Sequence, residues 1–466
     1  MKRIRHIALA MAATMVLSSC SLFRDYERST ELPAADLFGG LRSGDGEQST
    51  GAAGWREFFT DPTLQALIEQ ALSQNASLRQ IDLQIQEAQQ YLMCSKLAYI
   101  PSLAIAPQGQ LSSHDWSSPL RFYTIPLSAS WQLGSIGSLR NAKKKAEVGV
   151  EQVKAARQAV QQSLVANVAN LYYTLCMLDA QVAISEQTAS NWRESVERSR
   201  QLMAAGRSNK AAVAQTEANC LSVESSLLDL KQARVEAENA LCTLLGEAPH
   251  HIERTSLDTF HVPTISTGVP MQLLDNRPDV RQAELKLASA FYDVNSAKAN
   301  FYPSLTISGT LGYTNNGSTA ELDPAIWIWN AVAQLAQPIF QNGRLIAAKR
   351  VAVMQQQEAQ IAFVQALVAA GNEVNTALTA LQTAQGKTAL VSGQVRALTD
   401  AAQATEALYY NSPGVNYLNV LTAQTGLLSA QLGEVANRFA LIQATIDLYQ
   451  ALGGGSGSDG EEQSAQ

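Results

Sequence analysis

The sequence predicts a mixed α+β membrane protein, in which a transmembrane β-barrel is continued by a long α-helical barrel. Three observations support this fold class. The second half of the chain repeats the first, each half contains two strands of alternating apolar and polar residues, and each half contains one helical stretch that is too long for a globular core.

The internal repeat is clearest where a helix meets a strand. Residues 99–103 read Tyr-Ile-Pro-Ser-Leu and residues 301–305 read Phe-Tyr-Pro-Ser-Leu, and a long helical stretch follows Gly137 and Gly343. Both stretches carry mostly small and apolar residues at helical spacing: Leu139, Ala142, Ala146, Gly149, Val153, Ala156 and Val160, then Leu345, Ala348, Ala352, Gln355, Ala359, Ala362 and Ala366. We therefore predict a first repeat, a linker and a second repeat, at 61–248, 249–276 and 277–452.

The N-terminus predicts a targeting segment. A basic start precedes an apolar stretch over 7–17, which is too short to span a bilayer, and Leu-Ser-Ser-Cys ends at Cys20. This pattern matches a bacterial lipoprotein signal over 1–19, with Cys20 acylated at the head of a segment over 20–60. The alternative is an ordinary secretory signal in which Cys20 is incidental. The tail over 453–466 is rich in Gly, Ser and acidic residues and is predicted to be disordered.

Composition and motifs exclude several function classes. The net charge of −7 argues against a nucleic-acid partner. The sequence has no phosphate-binding loop, no spaced metal ligands and no nucleophile–base pair, so we predict neither an enzyme, nor a metal site, nor a cofactor. Cys94, Cys176, Cys220 and Cys242 form no Cys-x-x-Cys pair and are expected to be small buried hydrophobic residues.

Alternating segments predict four strands, two within 102–133 and two within 304–339. Odd positions are mainly apolar: Leu103, Ile105, Leu111, Tyr123, Ile125, Leu127, Ala129, Trp131, Leu133, Leu305, Ile307, Leu311, Tyr313, Trp327, Trp329 and Leu335. Most even positions are small or polar. This pattern fits strands between lipid and a wet lumen, and it also fits a soluble sheet with one buried face. The targeting signal and the strand length favour lipid.

Four strands cannot close a barrel, and an open sheet edge in lipid would leave backbone groups without hydrogen bonds. The chain must therefore associate with copies of itself. Three copies would give twelve strands, an even number around a water-filled pore. The prediction is a homotrimer with four strands per chain.

Two proline-free stretches predict long helices, over 138–204 and 344–410. Each would be ~100 Å long at ~1.5 Å per residue. Shorter helices are predicted over 61–97, 209–246, 278–300 and 415–451. A long coiled coil would explain the rows of small and apolar residues at helical spacing. Because Ala and Gly bury little surface, however, the pattern favours helices that pack against neighbours on both sides and form a tube.

Two segments carry a family resemblance. Residues 273–284 read Leu-Leu-Asp-Asn-Arg-Pro-Asp-Val-Arg-Gln-Ala-Glu, residues 297–305 read Ala-Lys-Ala-Asn-Phe-Tyr-Pro-Ser-Leu, and 337–343 and 417–424 match further. Over about residues 20–452 the chain resembles the outer-membrane factor lipoproteins, the TolC-like channels of tripartite efflux pumps, in their NodT/OprM-type branch.

The resemblance implies a homotrimer in outer-membrane lipid, anchored through Cys20, with a twelve-stranded barrel, an equatorial belt and a helical tube in the periplasm. It also implies a gate at the tip of the tube, where a periplasmic adaptor carried by an inner-membrane RND-type transporter binds. The residues implied for the gate and the adaptor contact are Gly206, Arg207, Ser208, Asn209, Gly414, Val415, Asn416, Tyr417, Asn419 and Thr422.

Two family positions can be interpreted chemically. TolC carries aspartates where this chain has Asn419 and Thr422, and because an acidic ring would favour cations, the sequence argues against strong cation selectivity. The motif Arg277-Pro278-Asp279 is interpreted as structural, since Pro278 suits the first helical position and Asp279 suits the positive end of a helix.

The leading functional hypothesis is a passive exit channel for drugs or other small molecules, driven by a partner pump. One alternative keeps the fold and makes the chain the outer-membrane duct of an ABC-driven (type I) secretion system. Another is a structural coiled-coil envelope lipoprotein, which would explain the helices but not the strands. A lumen of Ser, Thr, Gln and Asn is unselective, so the sequence does not identify the cargo.

Overall fold

The computed structural model describes residues 24–28, 54–113, 120–135, 137–260, 262, 277–315, 326–411 and 417–455. This part of the chain is mostly helical and contains one sheet. Its elements, in order, are α1 (Trp55–Phe58), α2 (Pro62–Gln74), α3 (Ala76–Leu97), β1 (Ser102–Ile105), β2 (Gln108–Ser112), β3 (Leu120–Ser135), α4 (Ser138–Ala204), α5 (Lys210–Leu245), a 3-10 turn (Leu257–Thr259), α6 (Pro278–Ala299), β4 (Ser304–Thr314), β5 (Ile326–Ala336), α7 (Arg344–Asn411) and α8 (Tyr417–Ala451).

The chain divides into two compact units. The sheet unit comprises Met1–Leu32, Asp82–Ala155 and Arg281–Gln365. The helical unit comprises Pro33–Ile81, Ala156–Val280 and Ala366–Gln466. Helices α3, α4, α6 and α7 contribute residues to both units.

The sheet is antiparallel, in the order β1-β3-β4-β5, with β2 also paired to β3. Two strands are predicted within 102–133, and β1, β2 and the first part of β3 lie there. The pairing of Ser102 with Ser130 and of Gln108 with Thr124 keeps one register, so β1 and β2 are one interrupted strand. The interruption lies at Pro107, which has no N–H to donate to the ladder.

Up to a register shift between Gln132 and Gly134 in β3, the strand pairing places the odd-numbered apolar residues on one face, as predicted, because directly paired residues point to the same side of a sheet. Leu127 at the middle of β3 pairs with Ile105 on one side and with Leu311 on the other, and Leu311 pairs in turn with Trp329. This apolar face therefore extends from one edge strand to the other. Its side chains are open to the surroundings in the single chain, with Trp329 80% exposed.

The opposite face is mostly small or polar in β1, β2 and β4 and is mixed in β3, where Leu120, Phe122 and Pro126 also occupy even positions. Ser128 pairs with Ala104 and with Thr310. The edge strand β5 differs, since Ile326, Ile328 and Val332 occupy even positions. The β5 strand therefore has apolar residues on both of its faces, although Asn330 and Gln334 also lie on the even one.

The two long helices contain 67 and 68 residues. Each begins just after a glycine in the left-handed region, Gly137 (φ 82°) or Gly343 (φ 79°), which turns the chain out of the preceding strand. The single helix predicted over 61–97 was wrong. Asn75 separates α2 from α3, and its side chain accepts a hydrogen bond from the Ser77 N–H at 2.9 Å. Within the described ranges, no helix has the length and apolarity needed to cross a membrane.

Candidate functional site

The turn between α4 and α5 is built by backbone geometry. Gly206 has φ 73°, a left-handed conformation that glycine adopts without steric cost. The Arg207 N–H donates to the Leu202 carbonyl at 2.8 Å, and the Gly206 N–H donates to the Met203 carbonyl at 3.0 Å. This bonding closes the end of α4. Arg207 is exposed and Ser208 is half-buried, so an outside partner could reach the arginine.

Asn209 has a local role that the sequence analysis did not assign. It is the N-cap of α5, and its side-chain oxygen accepts a hydrogen bond from the Ala212 N–H at 2.9 Å. The carboxamide thus satisfies one of the backbone donors left free at the start of a helix. The same side chain is exposed and could also contact a partner.

Asn209→Ala is expected to lower stability by about 1 kcal/mol, because it removes this cap. The measurement is thermal unfolding followed by helical circular dichroism, together with hydrogen exchange in the first turn of α5. Asn209→Ser keeps a capping oxygen and should retain most of the stability. Equal losses for both variants would contradict the capping role.

The turn between α7 and α8 lies mostly outside the described residues. Gly414, Val415 and Asn416 lie outside the described residues, and Tyr417 begins α8. In the next turn, Asn419 and Thr422 are exposed, whereas Val420 and Leu421 are buried. The first turns of α8 therefore have a packed face and a polar face, and both implied gate residues lie on the polar one.

The buried face of α8 packs into an apolar cluster that joins the helices near these turns. The cluster comprises Ala189, Trp192, Val196, Cys220, Val223, Val420 and Leu421, with Ala212, Tyr409 and Leu428 against it. Trp192 is 1% exposed and is the largest side chain in the cluster. It holds α4, α5, α7 and α8 together, so the position of Asn419 and Thr422 depends on this packing.

Exposed ion pairs accompany the cluster. Arg200 of α4 donates to Glu217 of α5 at 2.7 Å, and Arg198 donates to Glu406 of α7 at 3.2 Å. Each pair is open to solvent and contributes less than about 1 kcal/mol. Exposed pairs of this kind can separate at little cost.

The helical unit also contains a buried ion cluster that the sequence does not predict. Arg254, with a side chain only 5% exposed, donates to Asp179 of α4 at 3.1 Å and to Glu238 of α5 at 2.7 Å. Burial alone would raise the pKa values of Asp179 and Glu238, but hydrogen bonds from Arg254 outweigh it and hold both pKa values below their ordinary 3.8 and 4.5. The cluster fastens the segment after α5 to both helices.

The Arg-Pro-Asp motif forms a second cluster of this kind. Arg277 is 6% exposed and donates to Asp279 through two nitrogens, at 3.0 and 2.7 Å. Its guanidinium also donates to Glu373 of α7 at 2.6 Å and to the Ala451 carbonyl at the end of α8 at 2.8 Å. Pro278 is the first residue of α6. These contacts join three helices and support a structural role.

The N-terminal residues that are described lie on the sheet unit. Arg28 donates to Glu284 of α6 at 2.6 and 2.7 Å, and Arg140 of α4 donates to Asp25 at 2.9 Å. The ring of Tyr26 packs edge-on against Phe291 at a centroid distance of 6.0 Å. Cys20 lies outside the described residues. The chain is therefore fixed to the sheet unit a few residues after the predicted acylation site.

The four described cysteines are free thiols, and three of them are buried. Cys176, Cys220 and Cys242 are buried as expected, but Cys94 is exposed on α3, so the expectation was wrong for that residue. Burial raises the pKa of the Cys176 thiol to about 12, which keeps it protonated. Over the described ranges, no group of three or more His, Cys, Asp and Glu side chains could hold a metal ion.

Comparisons with known proteins match this architecture. A family model described as "Outer membrane efflux protein" matches residues 67–247 and 269–454. The cation efflux system protein CusC of Escherichia coli (strain K12) is 28% identical over 461 residues, covering 96% of this chain and 99% of the relative. The probable efflux pump outer membrane protein TtgC of Pseudomonas putida is 27% identical over 481 residues, covering 96% and 95%.

Solved structures agree with the sequence matches. A CusC structure has a TM-score of 0.82 at 27% identity and covers 93% of this chain and 99% of its own. The open-state MtrE outer membrane channel of Neisseria gonorrhoeae has a TM-score of 0.83 at 26% identity and covers 93% and 98%. The fold and function of this chain are those of passive efflux channels at the outer membrane, not of enzymes. The chain belongs to the outer membrane efflux protein family.

Proposed function

We propose that three copies of this chain form the outer-membrane exit channel of a tripartite efflux pump, through which small molecules leave the cell. The observation that carries the proposal is the sheet, whose one face is apolar from edge to edge and whose other face is largely polar. Such a sheet fits between lipid and water. The family match supplies the efflux context.

The case for a trimer rests on two open edges. Among the described strands, β1 and β2 pair only with β3, and β5 pairs only with β4, so both outer edges carry unpaired backbone groups. In lipid such edges must be closed. Pairing β5 of one copy with β1 and β2 of the next closes a ring, and three copies give the twelve-stranded barrel that the sequence predicts.

The helices beside these edges also lack apolar partners. On α3, Leu83 is 58% and Tyr91 72% exposed, and on α7, Met354 is 58% and Ile361 68% exposed. Apolar side chains at this density are typical of surfaces that another chain covers. In the proposed assembly, α7 of one copy packs against α3 of the next, and the three helical units form a helical barrel.

The lumen of this assembly would be wet and unselective. Exposed positions along α8 include Thr422, Thr425, Ser429 and Gln443, at helical spacing. Beside them, a groove of about 610 Å³ is lined by neutral polar side chains such as Asn375 and Thr379, by several alanines, and by one residue of each charge, Lys387 on α7 and Asp447 on α8. Neutral hydroxyls and amides offer hydrogen bonds to many solutes without excluding either charge. Substrate choice is therefore assigned to the inner-membrane RND-type transporter and its periplasmic adaptor.

The anchor is part of the proposal. Acylation of Cys20 would place a lipid chain only a few residues from Asp25 and Arg28, which are held by α4 and α6. The contacts of these residues support an anchor with a fixed position beside the sheet unit. The division into two repeats joined by an equatorial linker is also proposed, and the internal repeat and the two-part family match support it.

The assignment of Asn419 and Thr422 to the gate can be tested by introducing carboxylates at these positions. Introducing Asn419→Asp together with Thr422→Asp is expected to make the channel favour cations and to allow block by multivalent cations, because three copies would form a ring of carboxylates. The measurement is the reversal potential in planar bilayers under a salt gradient. Ala440→Asp, which adds one charge farther along α8, should change selectivity less. Unchanged selectivity in the double variant would show that these positions do not line the constriction.

The adaptor contact is tested by site-specific crosslinking in intact cells from Asn209 and Asn416, with captured proteins identified by mass spectrometry. Capture of a periplasmic adaptor from a proton-driven exporter supports the proposed function. Capture of an ABC-exporter adaptor would move the chain to secretion. Crosslinks only between copies of this chain would contradict the tip assignment, and a probe at exposed Arg79 serves as the matched negative position.

A further inference from the structure

All four junctions between helices and strands lie at the same end of the sheet. Ser304 at the start of β4 pairs with Ser135 at the end of β3 and with Ala336 at the end of β5, and β1 starts with Ser102 opposite Ser130. Helices α3 and α6 run into this end, and α4 and α7 leave from it.

Apolar side chains mark the junctions themselves. Ile100 is 61% exposed between α3 and β1, and Ile339 and Phe340 are 95% and 81% exposed between β5 and α7. Tyr99 and Phe301 are also exposed, at 43% and 37%. Aromatic and apolar residues next to the ends of lipid-facing strands are typical of the boundary between hydrocarbon and headgroups.

Every helix that meets this end of the sheet carries Lys or Arg residues within about two helical turns of its junction with the strand. Lys96 and Lys298 lie in the last turns of α3 and α6. Arg344, Lys349 and Arg350 lie at the start of α7. The start of α4 carries further lysines, which pair with carboxylates of the same unit, such as Lys145 with Asp293 at 2.6 Å.

Helix stability does not explain the cations on α7. The N-terminal end of a helix carries partial positive charge, which disfavours a cation at Arg344 and has faded by the second turn, where Lys349 and Arg350 lie. Neither α4 nor α7 has an acidic residue in its first turn. In the described part of the chain, Lys96, Lys349 and Arg350 are exposed and have no ion-pair partner.

The charge is also segregated between the units. Among the described residues, Lys and Arg outnumber Asp and Glu in the sheet unit, whereas Asp and Glu are in excess in the helical unit. The chain as a whole carries −7. A local excess of cations in an acidic chain, next to an apolar surface, indicates an anionic partner at that level.

We propose that Lys96, Lys349 and Arg350, at the strand–helix end of the sheet unit, form a cationic surface that binds the phosphates of anionic phospholipids in the leaflet at that end. The order along the molecule is apolar sheet face, aromatic junction and then cations, which is the order of hydrocarbon, interface and headgroups in a bilayer. The inference rests on the proposed function, because it requires the sheet to lie in a membrane.

The test uses the full-length trimer purified in detergent, incubated with equal amounts of phosphatidylglycerol and phosphatidylcholine of the same acyl chains. Native mass spectrometry then counts the lipids retained. The wild-type trimer is expected to retain phosphatidylglycerol over phosphatidylcholine by at least about fivefold, the ratio that one lysine near an anionic surface supplies. The triple variant Lys96→Gln/Lys349→Gln/Arg350→Gln is expected to lose this preference.

Two matched variants keep the result interpretable. Lys210→Gln/Lys387→Gln/Arg396→Gln removes the same charge from exposed positions of the helical unit and should keep the preference. Lys96→Arg/Lys349→Arg/Arg350→Lys preserves the charge and should also keep it. A wild type without preference, or a triple glutamine variant that retains it, overturns the proposal.

The same spectra separate this inference from the proposed function. A triple glutamine variant that dissociates into monomers, while the helical-unit control stays trimeric, would show that these cations bind carboxylates of a neighbouring copy, and the lipid proposal would be wrong. Wild-type protein that is never trimeric and never inserts into vesicles would instead contradict the proposed function. A trimer that inserts but shows no lipid preference contradicts only the cationic surface.

Discussion

Leu127→Arg is expected to abolish or nearly abolish assembly in the membrane, whereas Ser128→Arg is expected to be tolerated. Leu127 lies at the middle of β3, paired with Ile105 and Leu311 on the apolar face. An arginine on the lipid face near the bilayer centre costs about 2–4 kcal/mol. A trimer would bear that cost in each copy.

Ser128 differs only in the face to which it points. It pairs with Ala104 and Thr310 on the polar face, where an arginine would extend into water. The two variants introduce the same charge at neighbouring positions of the same strand. The measurement is the amount of trimer in the outer-membrane fraction, by immunoblot of unheated samples, with total expression as reference.

The face assignment can fail in two recognisable ways. If both variants assemble like the wild type, the sheet does not face lipid. If Ser128→Arg fails and Leu127→Arg assembles, the sides are reversed and the polar face is the packed one. Thr310→Arg on β4 provides an independent polar-face variant, and its behaviour should follow that of Ser128→Arg.

The faces could be predicted from the sequence because a strand has a fixed period of two residues and lipid demands apolar side chains on one side. The interruption of the first strand was missed although Pro107 was visible, because the alternation continues past it in the same register. The split between α2 and α3 was missed for a different reason. Asn75 has an extended backbone and caps α3 in the structure, but the residues around it include no Gly or Pro that would mark a break.

The buried clusters were beyond sequence reasoning because they join distant residues. Arg254 and Asp179 are 75 positions apart, and Arg277 and Glu373 are 96 apart. Nothing in the sequence around Asp179 or Glu373 marks either residue as the partner of a buried arginine. The Arg-Pro-Asp motif did signal a structural role, since proline and aspartate at a helix start have a local physical reason. Arg254 offered no such signal.

Arg254→Ala is expected to destabilise the helical unit by about 3 kcal/mol, because it removes the buried arginine that both carboxylates share. Asp179 is then left with Arg234 at 3.4 Å and Glu238 with the exposed His251 at 2.9 Å. Glu238 carries most of this cost, since its side chain is only 14% exposed. Asp179 carries less, as it is 37% exposed. The measurement is thermal unfolding by circular dichroism at neutral pH.

The loss should depend on pH in a defined direction. Asp179 and Glu238 have pKa values in the folded protein below their ordinary 3.8 and 4.5, so their contribution to stability is complete above those values. It is lost as the pH falls through the lower, folded-state pKa values, where the carboxylates take up protons. The difference between wild type and Arg254→Ala is therefore largest at neutral pH and shrinks progressively below about pH 4.5.

Two further variants distinguish the effect of the buried cluster on stability from the effect of removing any arginine. Arg193→Ala removes a 61% exposed arginine bonded to Glu224 and should cost less than about 1 kcal/mol. Adding Glu238→Gln to Arg254→Ala should restore part of the stability, because the buried charge that has lost its arginine is then gone. A cost equal to that of Arg193→Ala, or one that persists unchanged in acid, would mean that Arg254 acts through packing of its side chain and not through its charge.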